Sequence, residues 1–297
     1  MRLIVTGTQG QVARSLFERA LAHAIEVELV GRPDLDLTDG RSIAEGLAGR
    51  RADVVVNAAA YTAVDRAETE EDLATRVNAS GAGLVAEAAR RLGAPVIHIS
   101  TDYVFDGALD RPYREHDAPA PVSAYGRSKL AGEIAVAAAN PDHVILRTAW
   151  VYSPFGANFV KTMLRLGENS SEVSVVADQL GGPTSALDIA DAVIAVARRM
   201  TASADRAGLS GVFHMTGRGE ATWAEFAEAI FAEASAHGRK PVAVRPITTR
   251  EYPTPARRPA NSRLDASRLR EAYGVELPHW RDSLKSCVAR LLAVSSA

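Results

Sequence analysis

The 297-residue sequence has little cysteine, no clustered metal ligands and no long hydrophobic run. Its one cysteine, Cys287, cannot form an internal disulfide, which favours a reducing compartment. The seven histidines include no pair at the spacing of a metal site, so we predict no bound metal. No apolar run approaches the roughly 18 residues that a membrane span needs. Because the N-terminus also lacks a signal-peptide pattern, we expect a soluble, cytoplasmic protein.

An excess of charge of either sign is also missing. The 34 Lys and Arg residues nearly balance the 36 Asp and Glu residues, for a formal net charge of -2. We therefore expect no nucleic-acid partner. With 47% hydrophobic residues, the chain is long enough to bury a sizeable core in one large or two modest units.

The N-terminus has the order strand, glycine turn and helix. Residues 2–6 are a short apolar run, typical of a buried parallel strand, and the helix pattern has Val12, Leu16, Phe17 and Leu21. A glycine at 7 permits a tight turn, and one at 10 lets the backbone approach a pyrophosphate at the helix N-terminus. The pattern predicts a dinucleotide site, formed by Gly7, Gln9, Gly10, Gln11 and Val12.

The second predicted strand, residues 26–30, bears on the choice of cofactor. An acidic residue after this strand holds the ribose hydroxyls of NAD in many dinucleotide-binding folds, but here Gly31 and Arg32 follow. Arg32 either binds a 2′-phosphate, which favours NADPH with NADH also accepted, or is a solvated loop residue. We expect Asp36 and Leu37 near the cofactor as well, with Leu37 on the adenine ring.

Three further apolar runs predict the rest of a doubly wound parallel sheet. They are residues 52–60, 95–101 and 143–150. The small residues Ala58, Ala59 and Ala60 leave room for a cofactor at the end of the first run. Ser100 lies at the end of the second run, where we also expect the cofactor. His98 is interpreted as a core histidine. We predict an α/β fold with a Rossmann-type NAD(P)-binding domain in residues 1–152. Residues 153–297 form a smaller, mainly substrate-binding mixed α/β part, with some segments returning to the Rossmann core.

Tyr125 and Lys129 stand four residues apart between Ser123 and Gly132. In a helix both side chains leave the same face. A cation beside a tyrosine favours the phenolate, so we expect Lys129 to lower the pKa of Tyr125 from its usual value near ~10. An amphipathic surface helix would give the same spacing, so the pair indicates a catalytic role only together with the other motifs.

Several motifs together are specific. They are Thr6-Gly-Thr-Gln-Gly-Gln-Val12, Ser100-Thr-Asp-Tyr-Val-Phe-Asp-Gly107, Tyr125-Gly-Arg-Ser-Lys129, Asn158-Phe-Val160 and Arg257-Arg-Pro-Ala-Asn-Ser262. Over about residues 1–290 the chain resembles the extended short-chain dehydrogenase/reductases, and most closely the dTDP-4-dehydrorhamnose reductase family. The resemblance implies hydride transfer from NAD(P)H to the 4-keto carbon of dTDP-4-dehydro-6-deoxy-L-mannose, which gives dTDP-L-rhamnose.

The resemblance also implies roles for single residues. Tyr125 is the proton donor, Lys129 lowers its pKa and holds the nicotinamide ribose, and Thr101 hydrogen-bonds the keto oxygen. The sugar pocket is lined by Val64, Asp102, Tyr103 and Trp150. For the dTDP part we expect contacts from Asn158, Phe159, Arg258 and Asn261, because a diphosphate needs a cation. In an extended segment neighbouring side chains point to opposite faces, so only one of Arg257 and Arg258 should turn inward. Alternation does not say which one, and we choose Arg258.

Departures from the family leave alternatives open. Some members bind magnesium at a dimer contact through glutamates, where this chain has Ser15 and Leu187. We therefore expect no such metal, and a monomer or weak homodimer. The substrate is alternatively another dTDP-4-keto-6-deoxysugar, or the protein is a non-catalytic NADP-binding regulatory subunit. A dehydratase is disfavoured because Tyr103, and not a second acid, follows Asp102.

Overall fold

A six-stranded parallel sheet lies at the centre of the protein, for which a computed structural model describes residues 1–203, 206 and 208–294. The strands in chain order are β1 (Arg2–Thr6), β2 (Glu26–Val30), β3 (Val54–Asn57), β4 (Val96–Thr101), β5 (His143–Thr148), β6 (Val151–Tyr152), β7 (Glu172–Val176), β8 (Leu180–Gly181), β9 (Thr184–Ser185), β10 (Gly211–His214), β11 (Ala221–Thr222) and β12 (Ala243–Ile247). The order within the sheet is β10-β5-β4-β3-β1-β2.

Helices cover both faces of this sheet. They are α1 (Gln11–Ala22), α2 (Gly40–Leu47), α3 (Val64–Ala67), α4 (Glu71–Thr75), α5 (Ala82–Arg91), α6 (Ala124–Ala139), α7 (Phe159–Asn169), α8 (Ala186–Ala202), α9 (Trp223–Ala236), α10 (Ser267–Tyr273) and α11 (Trp280–Val294). A π-helical turn (Arg76–Gly81) leads into α5, and 3-10 turns follow β4 (Asp102–Val104) and β12 (Thr249–Glu251).

Alternate residues of each central strand face two different cores. On one face Leu3 and Val5 pack with apolar residues of α1 and α8. On the other face Ile4 packs with residues of α2, α5 and α6. Because both faces are covered, the strands are apolar along their length, which is the reason that they read as continuous hydrophobic runs.

The second half of the chain builds a third core beside the carboxyl ends of the strands. Helices α7, α9 and α11 pack around Tyr152, Phe226 and Trp280, and the parallel pair β7–β12 lies against them. The short pairs β6–β9 and β8–β11 connect this part to the strand tips of the central sheet.

The predicted Rossmann-type parallel sheet is confirmed, with shorter strands than expected and one more of them. The sixth strand, β10, pairs with β5, and α8 packs on α1, so the second half does return to the core. The boundary at residue 152 and the oligomeric state stay predictions. The predicted amphipathic pattern of α1 is wrong in part, because Phe17 is 59% and Leu21 89% exposed on a helix face that no described element covers.

The described residues contain neither a membrane-spanning helix nor a cluster of metal ligands. No helix in residues 1–203, 206 and 208–294 is long and apolar enough to cross a membrane. The same residues hold no group of three His, Cys, Asp or Glu side chains arranged to bind a metal ion.

Candidate active site

Helix α6 brings Tyr125 and Lys129 to the carboxyl end of β4. Ser123 caps the helix by accepting a hydrogen bond from the Gly126 N–H at 3.1 Å, which places Tyr125 in the first turn. Tyr125 is 9% exposed and Lys129 2% exposed, so both side chains are directed into the protein. The four-residue spacing therefore gives one shared, buried helix face, as predicted.

Thr101 is the last residue of β4, and its side chain lies near the Tyr125 hydroxyl, whose pKa it helps to lower. Thr101 Oγ1 also lies 3.0 Å from Asp102 Oδ1 and accepts the Tyr103 N–H at 3.2 Å. The Tyr103 ring packs edge-on against Tyr125, with centroids 5.5 Å apart. Two hydroxyl groups thus lie close together at a strand tip, an arrangement suited to polarising and protonating a carbonyl oxygen.

Burial dominates the pKa of Tyr125. Burial raises this pKa above its usual value, and the Thr101 side chain only partly offsets the rise. No lowering of this pKa by Lys129 is seen in the structure, where the lysine nitrogen is bonded elsewhere, so the predicted effect of Lys129 stays a prediction. Lys129 Nζ donates to the Ile99 carbonyl oxygen at 2.7 Å and lies 3.3 Å from His98 Nε2. Tyr125 keeps its proton at neutral pH, which is the form that a proton donor needs.

Two further side chains have pKa values displaced toward neutrality. Burial lowers the pKa of Lys129 to about 8, although Glu133, one turn further along α6, opposes this. Burial also raises the pKa of Asp102 to about 6, in spite of its hydrogen bond with Thr101. Perturbed pKa values of this kind cluster at functional sites.

The predicted glycine turn lies between β1 and α1. Gly7 has a φ of +92°, in the region that favours glycine, and a Cβ there would lie 3.3 Å from the Cβ of Ala59. Gln9 and Gly10 are exposed at the N-terminus of α1, and Val12 is buried beneath them. The turn therefore presents backbone N–H groups to solvent beside the tip of β3.

The side chain of Gln11 is bound within the protein. Its Nε2 donates to the Val151 carbonyl oxygen at 3.3 Å, and its Oε1 accepts from Ser153 at 2.8 Å and from Asn158 at 3.0 Å. Gln11 therefore offers a ligand its backbone, while its amide joins the glycine turn to the second half of the chain.

The segment after β2 agrees only in part with the predicted adenosine site. Arg32 is exposed, and no described residue pairs with it. Asp36 accepts hydrogen bonds from the N–H and hydroxyl of Thr38 at 2.9 and 2.8 Å, which lower its pKa and fold its own loop. Leu37 is 8% exposed in the core with α2 and α5. Little of the Leu37 side chain is therefore exposed, and its contact with the adenine ring stays a prediction.

The predicted cofactor residues at the tips of β3 and β4 differ in orientation. Ala58, Ala59 and Ala60 are half-buried next to the glycine turn, as expected. The Ser100 hydroxyl instead donates to the carboxylate of Glu133, a residue of α6, at 2.5 Å. The side chain of Ser100 thus points into the core, and only its backbone faces the strand tips.

Trp150 forms one wall near the strand tips. It has a φ of +48°, in the left-handed region, and stacks on Trp223 with centroids 3.6 Å apart at 9°. A Cβ on Gly181 would lie 2.3 Å from Trp150 Cε2, so only glycine allows this close approach. Val64 and Tyr103 pack around Tyr125 in the neighbouring cluster. Two of the predicted sugar-pocket residues, Val64 and Tyr103, therefore lie beside Tyr125, and Trp150 follows two residues after Thr148, the register partner of Thr101.

Arg258 points inward, as predicted, and Arg257 is exposed. Arg258 Nη2 lies 2.9 Å from Asp65 Oδ2, and Arg258 and Tyr103 are close enough to shift each other's pKa. The hydrogen bond from Arg258 lowers the pKa of Asp65, which keeps this pair charged. Arg258, the cation expected to bind the diphosphate, thus lies beside Tyr103.

Three residues expected to contact dTDP have structural partners instead. Asn261 donates both amide hydrogens, to the Leu109 and Arg111 carbonyl oxygens at 2.8 Å each, and so has none for a ligand. Asn158 caps α7 and bonds Gln11. Phe159 packs on Trp223, with centroids 4.6 Å apart. The predictions for Asn158 and Asn261 as ligands find no support in these contacts, because each amide already has protein partners.

The sequence did not point to Trp223, to Asp65 or to the contact between His98 and Lys129. Trp223 begins α9, and nothing in its local pattern points to a partner 73 positions earlier. Asp65 directly follows Val64, and nothing in its local sequence points to Arg258, 193 positions later. His98 is a core histidine, as interpreted, with no exposure, but its contact with Lys129 needed the three-dimensional structure.

A Rossmann-type sheet with a glycine turn, and a Thr–Tyr–Lys group at the strand tips, define a dinucleotide-dependent oxidoreductase. A family model described as RmlD substrate binding domain matches residues 1–293. A dTDP-4-dehydrorhamnose reductase of Sinorhizobium fredii is 52% identical over 292 residues, which are 98% of this chain and 98% of that protein. The chain belongs to the dTDP-4-dehydrorhamnose reductase family, which confirms the resemblance seen in the sequence.

Two other relatives bear on cofactor and substrate. The crystal structure of a Bacillus anthracis dTDP-4-dehydrorhamnose reductase in complex with NADP is similar with a TM-score of 0.90 at 36% identity, covering 97% of this chain and 99% of that one. A probable dTDP-4,6-dihydroxy-2-methyloxan-3-one 4-ketoreductase of Streptomyces antibioticus is 41% identical over 99% of this chain and 96% of its own length.

Proposed function

We propose that the protein reduces the 4-keto group of dTDP-4-dehydro-6-deoxy-L-mannose to the 4-hydroxyl of dTDP-L-rhamnose, with NADPH as the reductant. The observation that carries the proposal is the pair of hydroxyls of Thr101 and Tyr125, which lie close together at the tip of β4 with Lys129 one helical turn behind. The names of the relatives supply the substrate class.

The residues present fit a bound dinucleotide. A Cβ on Gly10 would find no atom within 4 Å, so the space before the N-terminus of α1 is open to a pyrophosphate. The unpaired guanidinium of Arg32 is available to a 2′-phosphate. The reduced nicotinamide, when bound, supplies the hydride for C4 of the sugar. Lys129 has N–H groups beyond the one donated to Ile99, and we assign them to the nicotinamide ribose.

Tyr125 completes the reduction by giving its proton to the oxygen of the former keto group. The hydroxyl of Thr101 holds the same oxygen and stabilises the negative charge that develops on it. An alkoxide is a stronger base than a phenolate, so the raised pKa of Tyr125 does not prevent the transfer. The high pKa keeps Tyr125 protonated until the substrate oxygen becomes basic.

The sugar nucleotide is bound by groups on both halves of the chain. We place the sugar against Val64, Tyr103 and Trp150, with Asp102 beneath, and the diphosphate near Arg258. A planar guanidinium offers two parallel donors to phosphate oxygens. Asp65 already holds Arg258 in place, so the cation is oriented before the substrate arrives.

The test is NADPH oxidation, followed by loss of absorbance, with enzymatically prepared dTDP-4-dehydrorhamnose and with identification of the product. We expect turnover and dTDP-L-rhamnose. Cofactor binding with no turnover on this compound, or on any dTDP-4-keto-6-deoxysugar, would favour a non-catalytic NADP-binding subunit.

A second candidate is the reduction of another dTDP-4-keto-6-deoxysugar, which the Streptomyces antibioticus relative favours. The same assay, run with both substrates in competition, decides between the two. A higher kcat/KM for the alternative sugar would replace the rhamnose precursor and leave the catalytic residues as assigned.

A further inference from the structure

Three polar side chains form one buried row across the sheet face that α6 covers. Thr6, Asn57 and His98 are register partners on β1, β3 and β4, and none is more than 1% exposed. Thr6 Oγ1 lies 2.7 Å from Asn57 Oδ1, and Asn57 Nδ2 lies 3.0 Å from His98 Nδ1. The row ends at α6, where His98 Nε2 is 3.3 Å from Lys129 Nζ.

The orientation of the Asn57 amide fixes the direction of these hydrogen bonds. Its Oδ1 can only accept, so it takes the hydroxyl proton of Thr6, whose oxygen in turn accepts the Ala59 N–H at 3.2 Å. The amide of Asn57 then presents an N–H to His98 Nδ1, which accepts it. A neutral imidazole carries one proton. The proton of His98 is therefore on Nε2 and points at Lys129 Nζ.

An N–H directed at the lysine nitrogen is accepted by the amine form and opposes the ammonium form. Lys129 in turn donates to the Ile99 carbonyl oxygen, so its nitrogen is held from two sides. Burial keeps the pKa of His98 well below its usual value, so the imidazole is neutral.

The other titratable groups around Lys129 are on α6 and β5. Tyr125 lies one turn before it and Glu133 one turn after it. Glu133 raises the pKa of Lys129, but it is itself paired with Arg147 on β5 at 2.6 Å. Since Glu133 already has a cationic partner, His98 is the titratable side chain in direct contact with the Lys129 nitrogen.

We propose that His98 is a positioning residue for Lys129, and that the row Thr6–Asn57–His98 ties the lysine nitrogen to the turn that begins at Gly7. Thr6 directly precedes that turn, so the cofactor turn and the catalytic lysine belong to one hydrogen-bonded unit. The proposal rests on the proposed function for the role of Lys129 only. The contact itself is measured without substrate.

The test reads the protonation of Lys129 directly by NMR. The chain has four lysines, so labelling lysine at Cε gives four signals, and Lys129→Arg identifies the one from Lys129. Nitrogen-15 shifts of the seven histidines, with His98→Phe for assignment, report the tautomer of His98. We expect the Nε2–H tautomer in the unmodified protein. An Nδ1–H tautomer would overturn the proposal.

Asn57→Asp should reverse the direction of the hydrogen bonds from position 57 through His98 to Lys129. A carboxylate only accepts hydrogen bonds, so it takes the Nδ1–H of His98 and leaves a lone pair on Nε2 for the Lys129 ammonium. We expect the tautomer to switch and the titration midpoint of Lys129 to rise by about one pH unit or more.

Two controls separate this relay from simpler effects. The double variant Asn57→Asp/His98→Phe keeps the new charge at position 57 but removes the imidazole between it and Lys129. Most of the rise in the Lys129 titration midpoint should then be lost. His214→Phe removes another fully buried histidine, which bonds the Tyr113 carbonyl oxygen, and should leave the Lys129 midpoint unchanged. An equal rise with and without His98 would overturn the proposal, as would an unchanged midpoint in Asn57→Asp. Both results are independent of whether the assayed sugar is the right substrate.

Discussion

Gly181→Ala tests the wall formed by Trp150. The added Cβ would lie 2.3 Å from Trp150 Cε2 and 2.6 Å from its Cζ2 and Nε1, where ordinary contacts begin at 3.4 Å. The indole must therefore move by about 1 Å in a close-packed interior. Because the indole is stacked on Trp223 at 3.6 Å, the shift disturbs both rings.

The size of the effect follows from this clash. Overpacking typically costs about 1–3 kcal/mol, and each kcal/mol lowers the Tm of a chain of this size by about 2–4 °C. We expect a Tm loss of about 2–12 °C. Since Trp150 is placed against the sugar, the KM for the dTDP-sugar should rise about tenfold. The KM for NADPH should change little, because the glycine turn is built by β1 and α1.

Gly182→Ala is the matched control. Its Cβ would lie 3.4 Å from Thr216 Cβ, an ordinary contact, so both Tm and KM should stay near those of the unmodified protein. Scanning calorimetry and steady-state kinetics on the two variants give the comparison. If the Gly181 and Gly182 variants have the same Tm and the same KM, Trp150 is not a rigid wall of the pocket and the reasoning fails.

Three other substitutions test single assignments. Tyr125→Phe should lower kcat by ~100- to 10,000-fold with NADPH binding retained, and turnover within threefold of the unmodified protein would refute the assignment. Arg32→Ala should raise the KM for NADPH more than that for NADH; equal effects would make Arg32 a solvated residue. Arg258→Ala loses a charge-assisted contact worth ~1.5–3 kcal/mol and should raise the KM for the dTDP-sugar roughly tenfold or more. Arg257→Ala, at an exposed position, is its control, and an unchanged KM in both would move the diphosphate site elsewhere.

Features set by local sequence were predictable. The strand, glycine turn and helix at the N-terminus follow from residue type and spacing within 22 positions. The shared face of Tyr125 and Lys129 follows from helix geometry. That only one of Arg257 and Arg258 turns inward follows from the alternation of an extended chain, although alternation does not decide which one. Each of these inferences needs only near neighbours in the sequence.

Features set by distant partners were not predictable. From the sequence, Asn261 is a candidate ligand-binding residue. Its amide instead donates to the carbonyl oxygens of Leu109 and Arg111, about 150 positions away, which the local sequence does not indicate. The pKa of Tyr125 depends on burial by several elements, and sequence reasoning considered only the lysine four residues on. Phe17 fits the apolar stripe of α1 by spacing alone, but no described element packs against it.

The return of β10 and α8 to the central sheet has a consequence for engineering. Exchanging the second half of the chain between relatives at residue 152 would replace not only the pocket but also an edge strand paired with β5 and a helix packed on α1. Such a chimera would join two cores that did not evolve together. A transfer of sugar selectivity should instead graft separate segments, such as the region from β6 to β9 and the start of α9, and keep residues 186–203 and 208–215 with the recipient.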